Sequence, residues 1–120
     1  MAANTTGMRT VIYPVNDLEA AKRVYGALWG VEPVMDEPYY VGYQVAGMDV
    51  GLDPHGSAQG RTGPTGYWHV ADLRATMASL VDAGATEGDA VRDVGGGKLI
   101  ASVTDPDGNV VGLLQEPAAG

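Results

Sequence analysis

The chain contains no cysteine and no phenylalanine, and its 7 lysines and arginines are outnumbered by 15 aspartates and glutamates. Without cysteine there is no disulfide, thiolate zinc site, iron–sulfur cluster or cysteine nucleophile. A formal net charge of −8 denies the chain the basic face that phosphate backbones require, so nucleic acid is not an expected partner. No apolar run approaches the length of a membrane-spanning helix, and no membrane partner is expected. Met1 to Thr6 lack both the positive and the apolar segment of a secretory signal. Together with the missing cysteines, this makes the cytoplasm the expected location.

What is present suffices for one domain of 120 residues, 45% hydrophobic, with its aromatic bulk in six tyrosines and two tryptophans. Residues 1–7 and 117–120 read as tails. Arg9 to Val15 is rich in β-branched residues and predicts a strand. Asn16 and Glu19 have the spacing of a capping box, and Leu18, Ala21, Val24, Tyr25 and Leu28 follow at helical spacing up to Gly30. Val31–Met35, Tyr39–Val45 and Met48–Leu52 predict three strands, with turns at Glu37-Pro38 and Ala46-Gly47. Pro54, Gly56, Gly60, Gly63 and Pro64 mark a linker over 54–64.

The pattern then restarts. Tyr67–Val70 predicts a strand, and Asp72 opens a helix carrying Leu73, Met77, Leu80 and Val81 up to Gly84. Val91–Val94, Lys98–Val103 and Val110–Leu114 predict three more strands. Val15-Asn16-Asp17-Leu18 recurs as Val70-Ala71-Asp72-Leu73, and Asp49-Val50-Gly51-Leu52 as Val110-Val111-Gly112-Leu113. Two elements matched in the same order indicate an internal duplication. The expected fold is α+β: two tandem βαβββ modules, 8–53 and 65–116, forming a curved mixed sheet with helices outside. The helix-free side would be a trough suited to a small ligand.

The paired module order, the two Val-x-Asp-Leu helix starts and Asp105-Pro106-Asp107-Gly108-Asn109 before the last strand resemble the vicinal oxygen chelate superfamily, the glyoxalase/bleomycin-resistance/dioxygenase group. The resemblance spans roughly residues 8–116. It implies the fold, a homodimer and, in metal-dependent members, a divalent ion held by one His or Glu from each of four strands. Those positions fall here on Thr10 and Thr65, five residues before Val15 and Val70, and on Gly51 and Gly112. None is a usual metal ligand, and glycine offers no side chain. The chain is therefore identified as a member lacking the usual ligands, with no metal or other cofactor expected. Gly51 and Gly112 would leave room at the base of the trough.

Strand alternation groups Thr65, Tyr67 and His69 on one face and Gly66, Trp68 and Val70 on the other. If Thr65 faces the trough, so do Tyr67 and His69, and His69 is the candidate proton-transfer residue. A histidine at a strand end is also an ordinary structural residue. On the first strand Tyr13 shares parity with Val11 and Val15 and belongs under the helix, which leaves Thr10 and Ile12 for the trough. Tyr39, Val41, Tyr43 and Val45 share one face of their strand and Tyr40, Gly42 and Gln44 the other. Alternation does not decide which lines the trough, so Tyr40 and Tyr43 are both candidates. Asp53 and His55, after the Gly51 strand, are candidates at the pocket mouth. A metal site from Asp53, His55 and His69 has no supporting spacing. Gly95-Gly96-Gly97 lacks the lysine and serine of a phosphate loop, and no serine sits in a nucleophile elbow. The expected function is metal-independent binding of a small planar or hydrophobic ligand by Thr10, Ile12, Tyr40, Tyr43, Gly51, Asp53, His55, Thr65, Tyr67, His69 and Gly112. The alternative is a metal-independent lyase, isomerase or hydroxylase-like enzyme using His69 or a pocket tyrosine.

Overall fold

A computed structural model describes residues 4–56 and 60–117. Ser57 to Gln59 of the expected linker, and parts of both expected tails, lie outside the described residues. In chain order the elements are β1 (Thr5–Pro14), α1 (Leu18–Trp29), β2 (Met35–Glu37), β3 (Tyr40–Val45), β4 (Met48–Asp53), β5 (Thr65–Val70), α2 (Leu73–Asp82), β6 (Thr86–Glu87), β7 (Arg92–Asp93), β8 (Leu99–Thr104) and β9 (Val110–Gln115). This is the α+β, twice-repeated βαβββ order, with the third position of the second module split into β6 and β7. The chain divides into two compact units, Arg9–Thr65 and Gly66–Gly120, the latter taking in Met1–Met8.

In the first unit the strand order is β2-β3-β4-β1. β1 runs parallel to β4, and the other pairs are antiparallel. The β3–β4 hairpin turns at Ala46 and Gly47, both at positive φ (50° and 84°), as a two-residue turn matching strand twist requires. That turn sets the register, which places Gly42 opposite Gly51. Leu18–Trp29 forms the helix because Asp17 caps it: its carboxylate accepts the Ala20 N–H at 3.1 Å. The expected cap was Asn16, one residue early. Gly30 ends the helix in the left-handed region at φ 69°. The strand expected at Val31–Met35 begins only at Met35. Pro33 lies inside the expected span and has no N–H to give a ladder.

The core of this unit lies between α1 and the sheet. Val41, Tyr43 and Leu52 are buried there, packed by Tyr13, Val15, Leu18, Ala21, Tyr25, Trp29 and Val45. Trp29 stacks on Tyr25 at 5.0 Å and meets Tyr43 edge-on at 4.9 Å. These rings supply the bulk that the absent phenylalanines would otherwise provide.

In the second unit β5 runs parallel to β9, and β8 pairs antiparallel with β9, β6 and β7. The start of β1 lies along β5, where the Thr5 hydroxyl donates to the His69 carbonyl at 2.6 Å. β1 thus begins four residues before the strand expected from Arg9, inside the segment read as a tail. Asp72 caps α2 through the Ala75 N–H. Leu73 and Met77 bury against Ala101, Val103 and Leu113, with Val70, Leu80 and Val91 around them. Asp105 accepts the backbone N–H of Asp107 and Asn109 and the Asn109 side-chain amide. The turn before β9 is therefore closed by its own first residue, with Gly108 at φ 90°.

Candidate functional site

In each unit the helix covers one sheet face, and the other face carries most of the candidate residues. In the first unit the buried Val41, Tyr43 and Leu52 point to α1. Alternation then puts Thr10 and Ile12 of β1, Tyr40, Gly42 and Gln44 of β3, and Asp49, Gly51 and Asp53 of β4 on the helix-free face. This decides between the two tyrosine sets and corrects the expectation for Tyr43. Its ring is 2% exposed beneath α1, and burial pushes its phenol pKa up. Tyr43 is a packing residue, whereas Tyr40 is on the helix-free face.

One row of this face runs Ile12, Gly51, Gly42, Met35 across four strands. Its two middle members have no side chain, but the space above them is filled. The ring of Tyr40 lies across both: its Cε2 is 3.3 Å from where a Gly42 Cβ would stand, and its hydroxyl falls on the position of a Gly51 Cβ. The expectation of room above Gly51 is corrected accordingly. Thr10 is 5% exposed on the same face. Gln44 donates to Asp49. Asp53 accepts the His55 N–H at 2.8 Å with its side chain and the Val15 N–H at 3.0 Å with its carbonyl. Its carboxylate thus closes the turn that carries the exposed His55.

In the second unit Val70, Leu99, Ala101, Val103, Val111 and Leu113 pack with α2. Tyr67, His69, Gly112, Leu114, Ile100 and Ser102 therefore share the helix-free face, as alternation predicts from Thr65. Tyr67, Gly112 and Ser102 form one row, and His69, Leu114 and Ile100 the next. A Cβ on Gly112 would stand 2.6 Å from the Gly66 carbonyl oxygen and 2.7 Å from the Tyr67 ring. Position 112 is closed too, in this case by backbone as well as by a tyrosine. His69 is 8% exposed, with Nδ1 3.8 Å from a Glu116 carboxylate oxygen that is also 3.8 Å from Lys98 Nζ. The imidazole is thus within ion-pair range of a carboxylate, at a separation longer than a hydrogen bond. Thr65, the first residue of β5 and the last of the first unit, is buried as well.

Gly42, Met35, Ser102 and Glu116 belong to these faces and were not singled out by sequence. Gly42 was within reach, because counting back from the Ala46-Gly47 turn sets it against Gly51. Glu116, placed in the sequence just before the expected tail, gave no signal.

The residues at the four implied metal positions do not fit a metal ion. Two are threonines, two are glycines, and side-chain or backbone atoms occupy the space above both glycines. Among the described residues no group of three or more His, Cys, Asp or Glu could hold one, so Asp53, His55 and His69 form no such site.

No curated protein matches the chain. Among solved structures it is similar to methylmalonyl-CoA epimerase from Mycobacterium tuberculosis, with 21% identity, a TM-score of 0.69, and 99% of this chain and 94% of that one covered. It is similar to a glyoxalase/bleomycin resistance protein/dioxygenase superfamily member from Vibrio splendidus 12B01, with 16% identity, a TM-score of 0.67, and 89% and 97% covered. It also resembles the Mn(II)-bound glyoxalase from Novosphingobium aromaticivorans, with 22% identity, a TM-score of 0.66, and 99% of this chain but 42% of that one covered. At these identities the likeness speaks for the fold alone. The family model for the Glyoxalase/Bleomycin resistance protein/Dioxygenase superfamily matches residues 7–113, and the chain belongs to that superfamily.

Proposed function

We propose that this protein binds a small planar or hydrophobic molecule on the helix-free side of its sheets and does so without a metal ion. The observation that carries the reading is the state of the two glycine positions. Where a metal-dependent relative would need a donor side chain, position 51 lies under Tyr40 and position 112 under Tyr67 and the Gly66 carbonyl. Each unit's helix-free face is aromatic and apolar with polar groups to orient a ligand: Ile12 and Tyr40 with Thr10 in the first unit, and Tyr67, Ile100 and Leu114 with His69 in the second. Asp53 and His55 stand at the margin of the first. The protein works as a homodimer in the cytoplasm.

The test is metal analysis of the purified protein together with thermal melts against a panel of planar compounds. Sub-stoichiometric metal and at least one stabilising compound support the reading. Stoichiometric zinc, iron or manganese contradicts it. A second reading, a metal-independent enzyme, is favoured by one observation: the buried His69 beside Glu116. It requires turnover that His69→Ala abolishes while binding persists.

A further inference from the structure

The row Ile12, Gly51, Gly42, Met35 contains two adjacent residues without side chains on neighbouring strands. Over a sheet such a pair leaves a shallow slot walled by its outer neighbours, here Ile12 and Met35. Met35 Cβ is 3.7 Å from where a Gly42 Cβ would stand, and the Tyr40 ring spans the slot from Gly42 to Gly51. The contact at Gly51 is made by the hydroxyl, Cζ and Cε1, the far end of the side chain. The slot therefore has the length of one phenol ring, and its occupant is tethered two residues from Gly42 on the same strand.

We infer that the Gly42–Gly51 slot is a ring-binding site whose resident occupant is Tyr40, and that it accepts a free phenolic ring when Tyr40 is removed. Gly51 is a glycine because of that ring. An alanine there displaces the hydroxyl end, so Gly51→Ala and Tyr40→Ala break the same contact. The inference stands independently of any natural ligand, and its failure would leave the metal-free binding proposal untouched.

The experiment uses Tyr40→Ala, Gly51→Ala, the double variant and the wild type, melted with and without phenol, after circular dichroism confirms folding. The double variant is expected to melt no lower than the worse single variant, since one contact is lost once. Phenol at about ten times its dissociation constant is expected to raise the Tm of Tyr40→Ala by about 5 °C. It is expected to leave the wild type and the double variant unchanged, the first because the slot is full and the second because a methyl group blocks it. Additive losses in the double variant, or an equal phenol response in all four proteins, overturn the inference. Should Tyr40→Ala not fold, Tyr40→Leu replaces it in the same cycle with the same expected non-additivity, and additivity there overturns the inference equally.

Discussion

Gly112→Ala offers a test of the second module in which one methyl group meets backbone. An alanine Cβ there would stand 2.6 Å from the Gly66 carbonyl oxygen and 2.7 and 2.8 Å from two atoms of the Tyr67 ring, where ordinary contact begins at 3.4 Å. The ring can turn, but the carbonyl belongs to β5, which is laddered to β9 at this row. Relief therefore requires the two strands to part locally. Overpacking of this kind costs about 1–3 kcal/mol. For a chain of this length, at roughly 2.1 cal/mol/K of unfolding entropy per residue, each kcal/mol is worth about 4 °C. The expected fall in Tm is thus about 4–12 °C, read by thermal unfolding under circular dichroism. Tyr67→Ala in the same chain should not restore it, because the carbonyl remains, in contrast to the relief expected at position 51. A Gly112→Ala protein melting within about 1 °C of wild type would refute the reasoning.

Leu73, 0% exposed under β8 and β9, anchors α2. Leu73→Ala should cost about 2–5 kcal/mol, read as a lower urea midpoint at unchanged slope. The Asp105 carboxyl is held below its usual range first by the Asn109 side-chain amide, then by backbone N–H groups of the turn. A depressed folded-state pKa stabilises above the unfolded value of 3.8 and is lost as pH falls through the folded one. Asp105→Asn should therefore be less stable than wild type at neutral pH, and the two should converge in acid titrations monitored by unfolding. A gap that stays constant down to the acid limit would be the contrary result.

The duplication, both helices and the closing turn were legible because each rests on local chemistry: capping side chains, glycines at positive φ and helical spacing. The errors have equally local causes. Asn16 and Asp17 both cap well, and only the chain path selects Asp17. Pro33, which has no N–H for a ladder, lies in the expected strand Val31–Met35, and the strand begins only at Met35. Alternation paired Tyr67 with His69 correctly, yet could not say which face of β3 meets α1. That choice is made by Tyr13, Tyr25 and Trp29 gathering around Tyr43, a contact among residues distant in sequence. The largest misreading was to equate glycine with empty space. A missing side chain leaves room only if no neighbour enters it, and tyrosines enter at both positions.

The most direct test of metal-free binding is the thermal shift produced by a stabilising planar compound, measured on one preparation with excess EDTA and again with added Mn²⁺ or Zn²⁺. The expected result is the same shift under both conditions. A shift that vanishes in EDTA and returns with the metal would contradict the account.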